Sequence, residues 1–252
     1  MPRRARITLA NVPHHIIQRG NNRSACFYTE DDYFQYLDWL EKYSFENNCQ
    51  VHAYVLMTNH VHLLITPETN KGLAKMMKSL GQRYVQYINR TYGRTGTLWE
   101  GRFRSCVTRE DQYVLSCYRY IELNPVRANM VEHPGEYCWS SYRANAQQEP
   151  NEMISPHDAY LSLGRCNEDR QKQYREIFKS ELCPKLIDQV RSATNSNYAL
   201  GSKKFRAEVE QVLGRRAGPG IPGRPRLYSR KLWSVTSSLF QIHEKHSKCC
   251  RL

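Results

Sequence analysis

Residues 50–66 read QVHAYVLM, then TN, then HVHLLIT, and this stretch constrains the fold more than any other. Two runs of alternating polarity joined by two residues describe a β-hairpin, because side chains on a strand point alternately to opposite faces. On the second run Val61, Leu63 and Ile65 share one face, which must be the one buried beneath helices. His60 and His62 share the other and are expected to look away from the core, about 6 to 7 Å apart along the strand.

The hairpin sits inside a readable order of elements. HHIIQRG predicts a strand ending at Gly20. Thr29 with Asp32 resembles a capping box, and Tyr33, Tyr36, Leu37, Leu40 and Tyr43 continue at helical spacing. After the hairpin, Leu73, Met76, Met77, Leu80, Tyr84, Tyr87 and Ile88 form the apolar stripe of a second helix, and FRSCVTR predicts a fourth strand. Glu110 and Asp111 open a third helix, suited to the positive end of its dipole, which should stop near Pro125. Strand, helix, hairpin, helix, strand, helix is the order of an α+β, ferredoxin-like or RRM-like antiparallel sheet with helices on one face. Beyond about residue 147, NAQQEPNEMISP predicts a polar linker, with helices near 168–181 and 203–213 and Gly214 as a stop signal. Two parts are therefore expected: a domain over 1–147 and a basic, mostly helical or irregular extension over 148–252.

Charge singles out the end of the chain. Residues 1–147 carry 18 Lys and Arg against 13 Asp and Glu, residues 148–200 carry 7 against 8, and residues 201–252 carry 12 against 3. Such a basic excess favours a phosphate backbone as partner, and the run LGRRAGPGIPGRPR resembles an arm able to lie along one, with Arg215, Arg216 and Arg224 as contacts. Membrane-surface binding fits less well, since no amphipathic helix with bulky apolar anchors accompanies the charge. No apolar run approaches the roughly 20 residues of a membrane span, and the N-terminus lacks the apolar stretch of a signal peptide. The nine cysteines show no C-x-x-C spacing and read as reduced thiols. A cytoplasmic, nucleoid-associated protein is expected.

A histidine pair alone is a weak metal signal, and the third helix strengthens it. Val114, Cys117, Tyr118 and Ile121 form its buried stripe, whereas Tyr120 and Asn124 lie off it at i, i+4 and share a face. If that face covers the histidine strand, two imidazoles, an amide oxygen and a phenol surround one point, a set suited to a divalent cation with positions left open for a phosphate. Imidazoles by themselves would suit zinc or manganese equally.

Four stretches, HHIIQRGNNR, NHVHLLI, LWEGRFRS and YIELNPVRANMV, together resemble the signature motifs of single-tyrosine HUH transposases, in the branch of REP-associated tyrosine transposases. The resemblance covers roughly residues 5–145. It implies Tyr120 as nucleophile, with His60, His62 and Asn124 as ligands of Mg²⁺, for which Mn²⁺ can substitute. It further implies cleavage and rejoining of single-stranded DNA beside hairpin palindromes through a 5′-phosphotyrosine link. DNA grip is expected from Arg19, Arg23, Arg102, Arg104 and Arg127, and Tyr28, Trp99 and Phe103 are candidates for base stacking or for the core. A monomer or homodimer is expected. The alternative is a non-catalytic single-stranded nucleic-acid binder on the same fold, although neither central strand carries the exposed aromatics of that class. A zinc hydrolase fits poorly, because the Asp and further His expected after such a pair are missing from HVHLLITPE.

Overall fold

The computed structural model describes residues 5–219. Its elements run β1 (His14–Arg19), α1 (Glu30–Glu46), β2 (Cys49–Met57), β3 (His60–Pro67), α2 (Gly72–Thr91), β4 (Arg104–Val107) and α3 (Asp111–Glu122). Six further helices follow among the described residues: α4 (Asn124–Arg127), α5 (Tyr142–Gln147), α6 (Asp158–Leu161), α7 (Asn167–Lys179), α8 (Pro184–Ser196) and α9 (Lys203–Leu213).

The strands form one sheet in the order β2-β3-β1-β4, antiparallel throughout. The α+β architecture is the one the sequence predicts. Thr29 and Asp32 begin α1 as expected, with the Thr29 N–H donating to Asp32 Oδ2 at 3.1 Å. Gly214, at φ +60°, follows α9 in the left-handed conformation that favours glycine as a stop signal.

The layering differs from the expectation of helices on one face. Ile16, Val61, Leu63 and Ile65 pack under α1 and α2 with Tyr36, Leu40, Leu80 and Tyr84. The opposite face is also covered: Ala53, Val55, Met57, Leu64 and Cys106 pack against Val114, Cys117, Tyr118 and Ile121 of α3. Leu64 and Cys106 make that face apolar over part of its length, and leaving them in water would forfeit about 1.5–3 kcal/mol for a side chain the size of leucine. His60 and His62 therefore point away from the first core and toward a second.

Both outer edges of the sheet are occupied by later chain. Along β2, Leu56 N–H donates to Trp139 O at 2.9 Å, Tyr54 N–H donates to Ser141 Oγ at 2.9 Å, and Ser155 N–H donates to Val51 O at 2.8 Å. Along β4, Ser105 N–H donates to Asn197 Oδ1 at 3.1 Å and Leu200 N–H donates to Val107 O at 2.8 Å. The stretch predicted as a polar linker is thus a strap on an edge strand, with Met153 and Ile154 set against the core. Its polar composition hid two apolar anchors. The described residues, 5–219, group into one compact unit, and the boundary expected after residue 147 falls inside it. Residues 220–252, with Arg224, lie outside the described residues.

Candidate active site

Strand register explains which side chains can meet on the second face. Residues paired across antiparallel strands point to the same side, and β1 pairs with β3 so that Ile17 lies opposite His62, Arg19 opposite His60 and His15 opposite Leu64. His15, Arg19, His60 and His62 therefore share one patch. Tyr120 comes down on it from α3, its ring centroid 5.6 Å from that of His62 and 5.4 Å from that of His15, both edge-on.

Helix α3 ends at Glu122, and Asn124 begins the separate short turn α4, which Pro125 follows without needing an N–H donor. The expected single helix is thus broken between Tyr120 and Asn124, yet both line the same cleft. That cleft, of about 320 Å³, is bounded by His15, Arg19, His60, His62, Tyr120, Asn124, Arg127 and, from α8, Arg191, Thr194 and Asn195. No carboxylate lines it. Three guanidiniums without a counter-charge make an anion site.

The histidines are held neutral. Burial, with the nearby Arg19 and Arg127, lowers His60 to about 4, and burial with Arg127 lowers His15 to about 3. His62, 3% exposed, is pushed well below the usual range by burial first and by His15 second. Neutral imidazoles are the form that coordinates a metal.

Hydrogen bonds also orient the rings. His60 Nδ1 lies 2.6 Å from Asn59 Oδ1, and the Asn59 amide nitrogen donates to Arg23 O at 3.0 Å, so Asn59 offers its oxygen. His60 then donates from Nδ1 and keeps the Nε2 lone pair free. His62 Nδ1 likewise lies 2.9 Å from His15 Nε2. Among the described residues no group of three His, Cys, Asp or Glu side chains is arranged to hold a metal. The donor set at hand is of another kind: two imidazole nitrogens, the Asn124 amide oxygen and the Tyr120 phenol.

Arg127 reaches over Tyr120, its guanidinium carbon 4.3 Å from the ring centroid, and its Nη2 donates to Tyr120 O at 2.8 Å. Its Nη1 is buried without a partner. Desolvation of that kind costs about 1–3 kcal/mol or more for a charged group, which an anion in the cleft would offset.

The remaining predicted residues fall into three groups. Arg102 and Arg104 line an adjoining groove with Arg19 and Asn195, and Arg104 donates to Asn195 Oδ1 at 3.1 Å. Arg23 and Arg216 are exposed away from the cleft lining. Arg215 is tied to the N-terminal segment, donating to Ala5 O at 2.9 Å and Arg6 O at 2.7 Å. Of the aromatic candidates, Trp99 and Phe103 are core residues and Tyr28 is exposed. Tyr118 is fully buried, and its hydroxyl accepts the His157 N–H at 3.3 Å.

Sequence reasoning missed His15, Arg191, Thr194 and Asn195. His15 lies within a quoted motif, and its period-2 relation to Ile17 and Arg19 was the signal that could have found it. The α8 residues offered none: the second half of PKLIDQVRSATNS is rich in Ser, Thr and Asn, which are poor helix formers.

With this geometry in view, comparison with known proteins shows what the chain is similar to. Residues 8–124 match the model of IS200-like transposases. Over that segment the chain is similar to the IS200-like transposase family. A protein of Haemophilus influenzae named "putative REP-associated tyrosine transposase" is 26% identical over 133 residues, covering 49% of this chain and 71% of that one. A solved structure, a REP-associated tyrosine transposase bound to a REP hairpin, superposes with a TM-score of 0.51 at 16% identity, covering 63% of this chain and 93% of that one. At that identity the structural likeness speaks to the fold. The matched family segment contains His15, His60, His62, Tyr120 and Asn124, whereas α8 lies beyond it. No helix among the described residues is long and apolar enough to cross a membrane.

Proposed function

We propose that this chain binds hairpin-bearing single-stranded DNA and cleaves and rejoins it, with Tyr120 as the nucleophile. The observation that carries this reading is the carboxylate-free cleft in which one phenol, three neutral imidazoles, two side-chain amides and three guanidiniums converge. Attack by the Tyr120 oxygen on phosphorus would break the bond to the 3′ oxygen of the preceding nucleotide. That leaves a 5′-phosphotyrosine and a free 3′-hydroxyl, and the reverse attack reseals the strand. Because the phosphodiester is conserved in the link, no nucleotide cofactor is needed.

The residues fit a divalent cation, and His60, His62 and Asn124 would hold it, with Mg²⁺ as the proposed ion and Mn²⁺ as a substitute. A bound ion would supply Lewis-acid stabilisation of charge on a non-bridging phosphate oxygen. The chain itself does the rest. Arg127 and Arg191 face the developing negative charge, and the unpartnered Arg127 Nη1 is a donor in waiting. A neutral phenol is a weak nucleophile, and these cations would stabilise the negative charge that develops as its oxygen attacks phosphorus. Arg19, Arg102 and Arg104 form a continuation along which the flanking backbone can run.

The test is incubation with hairpin-bearing single-stranded DNA and Mg²⁺, followed by a denaturing gel and peptide mapping. A covalent adduct on Tyr120 is expected, and Tyr120→Phe should remove it while hairpin binding persists. A phosphodiester on any other residue, or binding with no adduct under Mg²⁺ or Mn²⁺, would sink the reading and leave a non-catalytic binder. Residues 220–252 carry seven Lys and Arg against one Glu. Their removal should weaken binding and lower the slope of log K against log salt by about 0.7 for each phosphate no longer neutralised. An unchanged slope would show that this segment does not touch the backbone.

A further inference from the structure

The His62 ring does not stand alone. Its Nδ1 is 2.9 Å from His15 Nε2, and the two rings lie nearly parallel, 15° apart with centroids 5.1 Å apart. His15 Nδ1 is in turn 2.9 Å from Thr194 Oγ1 on α8. Thr194 Oγ1 is 2.8 Å from Val190 O, one helical turn earlier. All three side chains in this relay are buried.

Proton accounting gives the relay a direction. A threonine hydroxyl has one proton; the Val190 carbonyl can only accept it, and the Cys106 thiol, 3.2 Å away, is a weak acceptor that can turn its own S–H to the same oxygen, so that proton points back into α8. Thr194 Oγ1 then presents lone pairs to His15. A neutral imidazole carries its proton on one nitrogen, so His15 must carry it on Nδ1 and accept at Nε2. His62 must therefore donate from Nδ1, which leaves Nε2 deprotonated and directed at the cleft. The opposite ordering would protonate His62 at Nε2 and remove a ligand.

We propose that Thr194 and His15 are positioning residues that lock His62 in the tautomer able to bind a metal ion through Nε2, so that α8 is a working part of the metal site. The inference rests on the proposed metal role of His62. It adds that an element outside the family-matched segment decides which nitrogen of that ligand is free. Outer hydrogen-bond partners of metal-bound histidines ordinarily fix ring and tautomer in this way, and removing one typically costs 10–100-fold in affinity. His60 achieves the same end locally through Asn59, so the two ligands are set by unrelated parts of the chain.

Thr194→Val keeps the shape but removes the acceptor, freeing His15 to protonate Nε2 and pass the change to His62. Thr194→Ser keeps the hydroxyl and serves as the rescue. The first readout needs no metal: ¹⁵N shifts of the His62 ring in the metal-free full-length protein at pH 7.5. The parent and Thr194→Ser should show a protonated Nδ1 and a bare Nε2, and Thr194→Val should show a growing Nε2–H population. The second readout is Mn²⁺ affinity by titration calorimetry, expected to fall about 10-fold or more in Thr194→Val and to be retained in Thr194→Ser. A parent His62 protonated at Nε2, or a tautomer unchanged in Thr194→Val, would overturn the relay. Correct tautomers in a parent that binds no Mn²⁺ would overturn the metal reading while the proton ordering stood.

Discussion

The two faces of the sheet are built from the same strands by different rules. Under α1 and α2, Val61, Leu63 and Ile65 of β3 meet Tyr36, Leu40 and Tyr84 in an aromatic and aliphatic layer whose fit is one of volume. On the other face, β3 turns His60, His62 and Leu64 toward α3 and α8, and the layer changes character along its length. One end is apolar around Leu64 and Cys106, and the other is a chain of imidazoles opening on a cationic cleft. A packed apolar layer tolerates exchange of one hydrocarbon for another of similar size, whereas a proton-ordered chain tolerates no exchange that moves a donor. One strand can thus hold the molecule together with its odd-numbered residues and line the cleft with His60 and His62.

The sharpest way to break that contrast is a cross-comparison on β3. His60→Ala is expected to abolish Mg²⁺-dependent cleavage with little change in unfolding free energy, since the ring is only partly buried. Leu63→Ala, on the opposite face of the strand from both histidines, should cost about 2–5 kcal/mol in urea unfolding yet leave cleavage by the folded fraction close to the parent. If Leu63→Ala abolished cleavage while staying folded, or His60→Ala retained it, the division of labour between the faces would be wrong.

A smaller effect separates the closed and open parts of the second face. Glu122 is fully buried, accepting hydrogen bonds from Ser141 Oγ at 2.6 Å, Asn145 Nδ2 at 2.8 Å and Tyr174 Oη at 2.6 Å. Burial outweighs those bonds and raises its carboxyl from 4.5 to about 7. The folded protein keeps this proton up to about pH 7 while the unfolded chain releases it near 4.5, so stability is greatest at the acid end of that window and falls as pH rises through it. The fall amounts to at most about 3 kcal/mol. Glu122→Gln, neutral at every pH, should flatten the dependence in urea titrations at pH 5 and pH 7.5. An unaltered slope in that variant would remove Glu122 as its source. The smallest effect is expected from Tyr118→Phe, which removes one 3.3 Å hydrogen bond from His157 N–H, about 1 kcal/mol. Adduct yield should stay within about twofold of the parent, the scale of a change near 0.4 kcal/mol, and a larger drop would place that ring nearer the chemistry than its packing does.

What the sequence made legible follows the same division. Alternation in HVHLLIT and the 3.6-residue stripe of α3 told the two sides of single elements apart, so Val61, Leu63 and Ile65 were separable from His60 and His62, whereas Tyr120, off the stripe, proves to be buried in the second core along with Tyr118. Periodicity reports which way a side chain points on its own element and is silent about what faces it. The His15 to His62 contact spans 47 residues and depends on β1–β3 register, and the Thr194 to His15 contact spans 179 and depends on where α8 docks. The expectation of one helical layer failed for the same reason: the α3 stripe showed that the helix is buried, and only the pairing of β2, β3 and β4 shows against what.

The occupied sheet edges bear on assembly. An exposed edge strand offers unpaired N–H and C=O groups as a template for another chain, and proteins blunt that hazard by covering it. Here segment 139–155 takes up hydrogen-bonding groups of β2, and Asn197 with Leu200 takes up those of β4, so neither side of the sheet is left free to extend into a neighbour. Two copies of this chain brought together would have to meet through helices or loops rather than through a continuous sheet. High local concentrations of the protein would then not seed β-aggregation from its native state.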